Sequence, residues 1–318
     1  MNAASLARFA ADLDALVPPA DRIGVAVSGG PDSLALLLLA AAARPGQIEA
    51  ATVDHRLRAD SGAEADMVAG VCGGLGVPHA ILPIEWSEPP AGNLQARARD
   101  ARYPALGQWA LERGLAALAT AHHLDDQAET LLMRLARGAG IGGLAGIRRR
   151  RPLAIGDRAV ALVRPLLGWR RDELAAIVQA AGANAVDDPA NRDPRHDRTR
   201  AREFLSGTDW PDRARLAASA AHLADAEAAL QFAAAKLYHE RHRRDGEVTI
   251  VDPTGLPREF QRRLLLIALQ RRGAPPPRGP DLARLLAQLA AGQTATLAGF
   301  KLVGGATWRL SPAPPRRG

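Results

Sequence analysis

The first half of the chain alternates short, uninterrupted apolar runs with helical stretches, and this alternation restricts the possible folds more than any other feature. The runs predict strands at 22–27, 48–53, 79–84 and 115–120. Strands that are apolar throughout are buried on both faces, and intervening helices connect parallel neighbours. We therefore predict an α/β fold in which helices cover both faces of a parallel, doubly wound sheet. Ligands of such sheets bind at the carboxyl ends of the strands.

The second half of the chain has a weaker strand pattern and more helix. A loop-rich stretch, a helix, and a polar loop leading into a short helix are predicted in turn at 138–167, 170–181 and 186–202. An alanine-rich helical pattern covers 213–244, and the alternating segment 293–310 predicts a terminal β-hairpin. We predict a catalytic domain over 1–207 and a smaller, mainly helical domain with that terminal hairpin over 208–318.

Arginine supplies nearly all of the positive charge. The net charge is +7, and lysine occurs only at Lys236 and Lys301. A basic chain favours a polyanionic partner such as a nucleic acid. The alternative is an arginine-rich composition without a functional cause, so charge alone leaves both interpretations open.

Two further features bear on the cellular compartment. Cys72 is the only cysteine, which excludes an internal disulfide, a zinc ribbon and a two-cysteine sulfur relay. The first 20 residues carry Asp12 and Asp14 and have no long apolar core, so we expect no signal peptide. The apolar run 34–43 has about half the length that a membrane span needs. We expect a cytoplasmic protein.

A glycine-rich segment joins the first predicted strand to the first helix. It consists of Ser28, Gly29, Gly30, Pro31, Asp32 and Ser33. Glycines let the backbone approach phosphate oxygens, and the N-terminus of the following helix attracts anions. The serines add hydroxyl donors, and Asp32 is suited to hold Mg²⁺ against a pyrophosphate. The alternative is a turn in which Asp32 or Ser33 is only a helix N-cap. A GxxxxGK[ST] loop is excluded because its lysine is absent.

A second polar cluster follows the fourth predicted strand. Asp126 and Glu129 are three residues apart, so they share a helix face. Two carboxylates on one face can hold a metal ion, an ammonium group or both; alternatively they only complement the helix dipole. We predict catalytic roles for Asp126 and Glu129 and a contact of His122 with phosphate or base. For Asp125 we favour the dipole interpretation.

These motifs resemble two nested families. The glycine-rich segment resembles the SGGxDS loop of the PP-loop ATP pyrophosphatases, which split ATP into AMP and pyrophosphate by adenylating a substrate oxygen. Further segments resemble the tRNA(Ile)-lysidine synthase family, namely VDHRLR at 53–58, ARDARY at 98–103, AHHLDDQAET at 121–130, RGAGIGGL at 137–144 and RPLL at 164–167. The segment 188–202 resembles that family's DPSNxD…RNRIR but departs from it at Ala190, Thr199 and Ala201.

The lysidine synthase resemblance implies a reaction and its participants. ATP with Mg²⁺ would adenylate O2 of cytidine 34 in the CAU anticodon of tRNA(Ile), and free L-lysine would then displace AMP. The resemblance also implies a PP-loop, adenine nucleotide alpha hydrolase-like fold, in the shorter form of the family, and leaves a homodimer open. It assigns Asp32, His122, Asp126 and Glu129 to catalysis, with Asp32 and Asp126 as metal ligands. The resemblance assigns nucleotide binding to the glycine-rich segment, Asp54 and Arg99.

Arginines are the expected contacts to RNA. The resemblance favours Arg102, and the family's arginines are retained in register at Arg198, Arg200 and Arg202. Arg148 and Arg149 begin a run of arginines that either contacts RNA phosphates or is only a solvated loop. Two rival functions remain open. One is a tRNA thiolase, although a single cysteine argues against it. The other is a nucleotide-binding sensor that catalyses no reaction.

Overall fold

The computed structural model describes residues 2–56, 61–86, 94–186, 197–208 and 210–313. Within these ranges, the side chains of 61, 94–96 and 98–100 are not described. The chain divides into two compact units, Met1–Ala224 and Asp225–Gly318. The assignment of catalysis to 1–207 and of tRNA binding or support to 208–318 stays a prediction.

The first unit is built on a six-stranded sheet in the order β3-β2-β1-β4-β6-β5. Its strands are β1 (Ile23–Ala26), β2 (Ile48–Asp54), β3 (His79–Pro83), β4 (Ala117–Ala119), β5 (Arg150–Ile155) and β6 (Arg158–Val163). All neighbours run parallel except β5 and β6, which pair antiparallel. The predicted parallel sheet is therefore confirmed, with one antiparallel strand added at its edge.

Helices cover both faces of this sheet. They are α1 (Ala3–Asp14), α2 (Pro31–Ala43), α3 (Ser61–Gly74), α4 (Leu94–Glu112), α5 (Leu124–Ala136), α6 (Ile141–Leu144), α7 (Arg171–Ala180) and α8 (Asp197–Ser206). Residues of α1, α2 and α7 share one core cluster, whereas α4 packs with β5 and β6 in another. A side chain at Gly24 of β1 would come within 2.6 Å of the Trp109 ring of α4, so this glycine allows the close helix–sheet approach.

The stretch 138–167, predicted as loop-rich, instead contains the β5–β6 hairpin and the short helix α6, so that prediction is wrong. The hairpin pairs Arg150 with Val163 and Ile155 with Arg158. Strand β5 lies at the sheet edge, where the exposed Arg150 and Pro152 are tolerated because one side needs no hydrogen-bonded neighbour. The polar sequence of β5 therefore lacks the apolar pattern by which a strand is predicted.

The second unit combines helices with a five-stranded antiparallel sheet in the order β7-β8-β11-β10-β9. Its elements are β7 (His242–Asp245), β8 (Val248–Val251), α10 (Arg258–Arg271), α11 (Gly279–Ala290), β9 (Thr294–Leu297), β10 (Phe300–Val303) and β11 (Trp308–Pro312). Helix α9 (Arg213–Arg241) contains the division between the units. The predicted terminal hairpin is thus part of a larger sheet, and the helix predicted to reach residue 244 ends where β7 begins. In the described part of the chain, no helix combines the length and apolarity needed to cross a membrane.

Candidate active site

The glycine-rich segment forms a tight loop between β1 and α2. Helix α2 begins at Pro31, a position where the missing N–H of proline breaks no helical hydrogen bond. Gly29 has a φ of +81°, which favours glycine. The Ser33 hydroxyl donates to the Gly30 carbonyl at 2.9 Å and accepts from the Ser28 N–H at 3.1 Å. The loop is thereby held in one shape at the positive end of α2, as an anion site requires.

His123 joins this loop to the neighbouring strand end. It is the N-cap of α5, follows β4, and is 3% exposed. Its Nε2 lies 3.4 Å from Oδ2 of Asp32 and 3.6 Å from Oδ2 of Asp126, and its Nδ1 lies 3.6 Å from Oδ2 of Asp125. Because β1 and β4 are adjacent in the sheet, residues of two loops meet around one imidazole.

The carboxylates keep His123 charged. Burial alone would lower the pKa of His123, but its contacts with Asp125 and Asp32 and the charge of Asp126 outweigh burial and raise that pKa to about 10. In turn, burial opposes a low pKa for Asp125, yet His123, the Arg171 N–H and Arg213 bring it to about 2. An imidazolium has no lone pair, so in this arrangement His123 links the two loops and cannot accept a proton.

Glu129 is the buried partner of helix α8. It is 3% exposed, and its two carboxylate oxygens accept from Nε of Arg198 at 3.0 Å and from Nε of Arg202 at 2.8 Å. Arg198 also lies 3.4 Å from Oδ1 of Asp126. The i, i+4 spacing places both arginines on the face of α8 that meets α5. This network fixes α8 against the strand-end loops.

A cavity of about 380 Å³ adjoins this network. Its walls include residues of α5, α7, α8 and the start of α9, among them Asp125, Glu129, Arg171, Arg202, Ser206 and Arg213. Nε of Arg213 lies 3.5 Å from Oδ1 of Asp125. The volume falls in the range of small-molecule sites, and the lining carries charges of both signs.

The structure brings some predicted residues together and leaves others apart. Asp32, Asp126 and Glu129 lie in one connected set of contacts, through His123 and Arg198. The prediction named His122 and missed His123, which makes the contacts to Asp32. Nδ1 of His122 lies 3.1 Å from the hydroxyl oxygen of Thr120, just after β4, and the charge of His122 lowers the pKa of Asp126, so His122 also borders this set. The signal for His123 was its position immediately before a helix with acids in its first turn.

The other predicted ligands are spread along the sheet edge and beyond it. Oδ1 of Asp54 accepts from the Arg56 N–H at 2.9 Å, where β2 ends. Burial lowers the pKa of His55, and so does the charge of Arg102, which puts Arg102 of α4 near that strand end. The side chain of Arg99 and the motif residues at 57–58, 92–93 and 188–193 lie outside the described residues.

The arginines assigned to RNA differ in their surroundings. Arg200 is exposed, whereas Arg198 and Arg202 pair with Glu129. Arg148 donates to the Ala224 carbonyl at 3.2 Å, and Arg149 donates to Oδ1 of Asp12 at 2.8 Å. RNA contacts by these residues stay predictions.

Comparisons with known proteins agree on the family to which this chain is similar. The model of a PP-loop domain family matches residues 3–208. A tRNA(Ile)-lysidine synthase of Novosphingobium aromaticivorans is 49% identical over 313 residues, which are 98% of this chain and 94% of that protein. The tRNA(Ile)-lysidine synthase of Zymomonas mobilis is 44% identical, over 94% of this chain and 91% of its own. A solved structure of a U34-tRNA thiolase from Methanococcus maripaludis shares the fold, with a TM-score of 0.57 at 15% identity, over 71% of this chain and 80% of the thiolase.

Proposed function

The chain belongs to the tRNA(Ile)-lysidine synthase family of PP-loop enzymes, and from this membership we propose that it converts cytidine 34 of tRNA(Ile) with a CAU anticodon to lysidine. In the first step, O2 of the cytosine attacks the α-phosphorus of ATP and pyrophosphate leaves. In the second, the ε-amine of free L-lysine attacks C2, AMP leaves, and the amine releases its protons. Activation divides one difficult substitution into two easier steps.

The loop from Ser28 to Ser33 is the site for the phosphates of ATP in this proposal. Its fixed backbone and the N-terminus of α2 face the anion. The cationic His123 adds positive charge beside Asp32. Asp54, Arg99 and His122 stay assigned to the nucleotide or base by family resemblance.

The acidic residues here suit Mg²⁺. Oδ1 of Asp32 is buried and has no hydrogen-bond partner among the described residues. The described residues contain no group of three or more His, Cys, Asp or Glu side chains able to hold a metal. Mg²⁺ commonly binds through one or two carboxylates and substrate phosphates, so Asp32 and Asp126 fit it. When bound, the ion would neutralise charge that develops on the pyrophosphate leaving group.

We place free lysine in the cavity beside Glu129. Lysine carries two ammonium groups and one carboxylate, so its site needs both signs of charge at fixed separations. The cavity offers the carboxylates of Asp125 and Glu129 and the guanidinium groups of Arg202 and Arg213. Because Glu129 also accepts from Arg198 and Arg202, we assign it a second role, which is to position these arginines.

The observation that carries the proposal is near full-length similarity combined with the meeting of Asp32, His123 and Asp126 at neighbouring strand ends. The test is AMP release with transcripts that carry cytidine 34 or uridine 34. We expect release that requires both lysine and cytidine 34. Nucleotide binding without AMP release would support a sensor, and sulfur-dependent turnover on uridine 34 would support a thiolase.

Arg148 and Arg149, just before β5, allow a prediction about RNA binding. Arginine–phosphate contacts release counterions, so tRNA affinity should fall steeply with salt. We expect the double variant Arg148→Ala, Arg149→Ala to reduce the slope of log affinity against log salt by roughly two units. Arg158→Ala is the matched control, because Arg158 lies at the opposite end of the same hairpin. An unchanged slope in the double variant would contradict RNA contact by this run.

The substrates suggest the cellular setting. Free lysine, ATP and tRNA meet in the cytoplasm, so we place the reaction there. A homodimer stays a prediction; sedimentation of the purified chain with and without tRNA tests it.

A further inference from the structure

Two aromatic side chains lie exposed on and just after helix α8, which lines the cavity. Trp210 is 83% exposed and Phe204 is 53% exposed. By contrast, Trp109, Trp169 and Trp308 are at most 6% exposed. Large apolar side chains that are exposed beside a candidate site can mark a surface that a binding partner covers. Their surroundings indicate which partner this is.

The backbone around Trp210 is held in place while its ring projects into solvent. The Thr208 hydroxyl donates to the Trp210 carbonyl at 2.6 Å and accepts from the Trp210 N–H at 3.1 Å. Further along, Arg213 donates to the Leu205 carbonyl at 2.6 Å. Trp210 is therefore bonded at both its N–H and its carbonyl, and Arg213 connects the start of α9 to the end of α8. A ring on an anchored backbone loses little conformational entropy when it binds.

Both aromatic residues lie close to the candidate active site. Ser206 and Arg213 line the cavity, and Trp210 lies between them in sequence. Trp210 and Arg213 are three positions apart in the chain, so their Cα atoms are at most about 11 Å apart. Phe204 follows Arg200 by one helical turn, and both are exposed. Arg198 and Arg202 of the same helix meet Glu129 instead. Helix α8 thus contacts the site with one face and presents an arginine and an aromatic ring to solvent.

We propose that Trp210 and Phe204 form a stacking platform for unpaired bases of the RNA loop that delivers its base to the candidate active site. The inference rests on the proposed function for the identity of the RNA. Flat apolar rings among arginines match single-stranded RNA, whose bases stack on aromatic side chains while its phosphates pair with guanidinium groups. Arg200 and Arg215 are exposed nearby and supply that charge. A paired duplex offers no free base face, so the platform favours a loop.

Tryptophan fluorescence provides a direct test. Trp210 is the most exposed of the five tryptophans, and Trp86 is half-buried. We expect a short stem-loop RNA with a CAU loop to quench the emission, and a duplex of equal length to quench it far less. Trp210→Phe should abolish most of the quenching yet bind the stem-loop nearly as well as the wild type. Trp210→Ala should weaken binding about tenfold, the scale of one stacked base.

Controls separate stacking from other causes. Leu75→Ala removes another exposed apolar side chain, 39% exposed just after α3 in the first unit, and should leave RNA affinity unchanged. Single nucleotides of the loop are replaced with abasic nucleotides. At one position we expect the abasic RNA to bind the wild type more weakly but to bind Trp210→Ala as well as the intact RNA does. The missing base and the missing ring then remove the same contact. Thermal unfolding of each variant verifies folding, and Phe204→Ala tests the platform if Trp210→Ala fails to fold.

Two results would overturn the platform. One is unchanged stem-loop affinity in both Trp210→Ala and Phe204→Ala. The other is a change in sedimentation of Trp210→Ala without a change in RNA binding, which would make this face a contact between copies of the chain. Lysine-dependent AMP release by the wild type is measured separately. If the wild type releases no AMP, the proposed function is contradicted, whereas the result on base stacking still holds.

Discussion

Asp32→Asn should lower kcat by about a hundredfold or more while the protein remains folded. Oδ2 of Asp32 faces the charged His123 at 3.4 Å, and Oδ1 is buried without a hydrogen-bond partner among the described residues. Asparagine has nearly the same shape but no charge, so it would hold Mg²⁺ and the pyrophosphate less well. Asp125 and Asp126 still flank His123 in the variant, which is why we expect the fold to survive.

The measurement is steady-state AMP release at saturating ATP, lysine and tRNA, with thermal unfolding as the check on folding. Asp157→Asn is the matched control, since Asp157 is an exposed acid in the β5–β6 turn of the same unit. Turnover near the wild-type level in folded Asp32→Asn would remove Asp32 from the proposed metal site. Equal losses in both variants would point to a general charge effect.

The parallel sheet could be predicted because its signals are local. Each apolar run is long enough to be a buried strand, and each is followed by a helical pattern. The glycine-rich loop is equally local, since its serines and glycines contact one another within six residues. Chemistry that depends on neighbours in sequence can be deduced from sequence alone.

Two hairpins were missed for one common reason. Both β5–β6 and β7–β8 contain exposed arginines that hide the apolar alternation of a strand. Each is closed by a two-residue loop that begins with a glycine of positive φ, Gly156 at +60° and Gly246 at +57°. Such loops are typical of tight hairpin turns. Turn chemistry, given more weight than strand composition, would have found both.

The partners of the buried site residues could not be deduced from the sequence. Arg198 and Arg202 are 69 and 73 residues from Glu129 along the chain. Nothing in the spacing shows that arginines assigned to RNA neutralise a buried carboxylate. The same holds for Asp32 and His123, which belong to loops after β1 and β4 and meet only because those strands are neighbours.

The largest effect on lysine use is expected for Glu129→Gln and Asp126→Asn. Each removes the charge of a largely buried carboxylate, Glu129 paired with the partly exposed Arg198 and Arg202, and Asp126 paired with His123 and Arg198. Removing one partner of such a charge pair costs about 2–4 kcal/mol of the stabilisation that the pair provides. We therefore expect kcat/KM for lysine to fall by about 30-fold to 1000-fold. Tight tRNA binding should survive, because other arginines hold most of the RNA.

Separate measurements distinguish the roles these carboxylates could have. A higher KM for lysine, partly overcome by more lysine, indicates an amine ligand. Partial rescue by Mg²⁺ but not by lysine indicates metal binding. Loss of kcat with unchanged KM, together with a lower midpoint of thermal unfolding, indicates that Glu129 positions α8. Glu203→Gln is the matched control, because Glu203 is exposed on the same helix. If both variants keep wild-type lysine dependence while losing tRNA affinity, the carboxylates support the fold or the RNA loop and lie outside the catalytic centre.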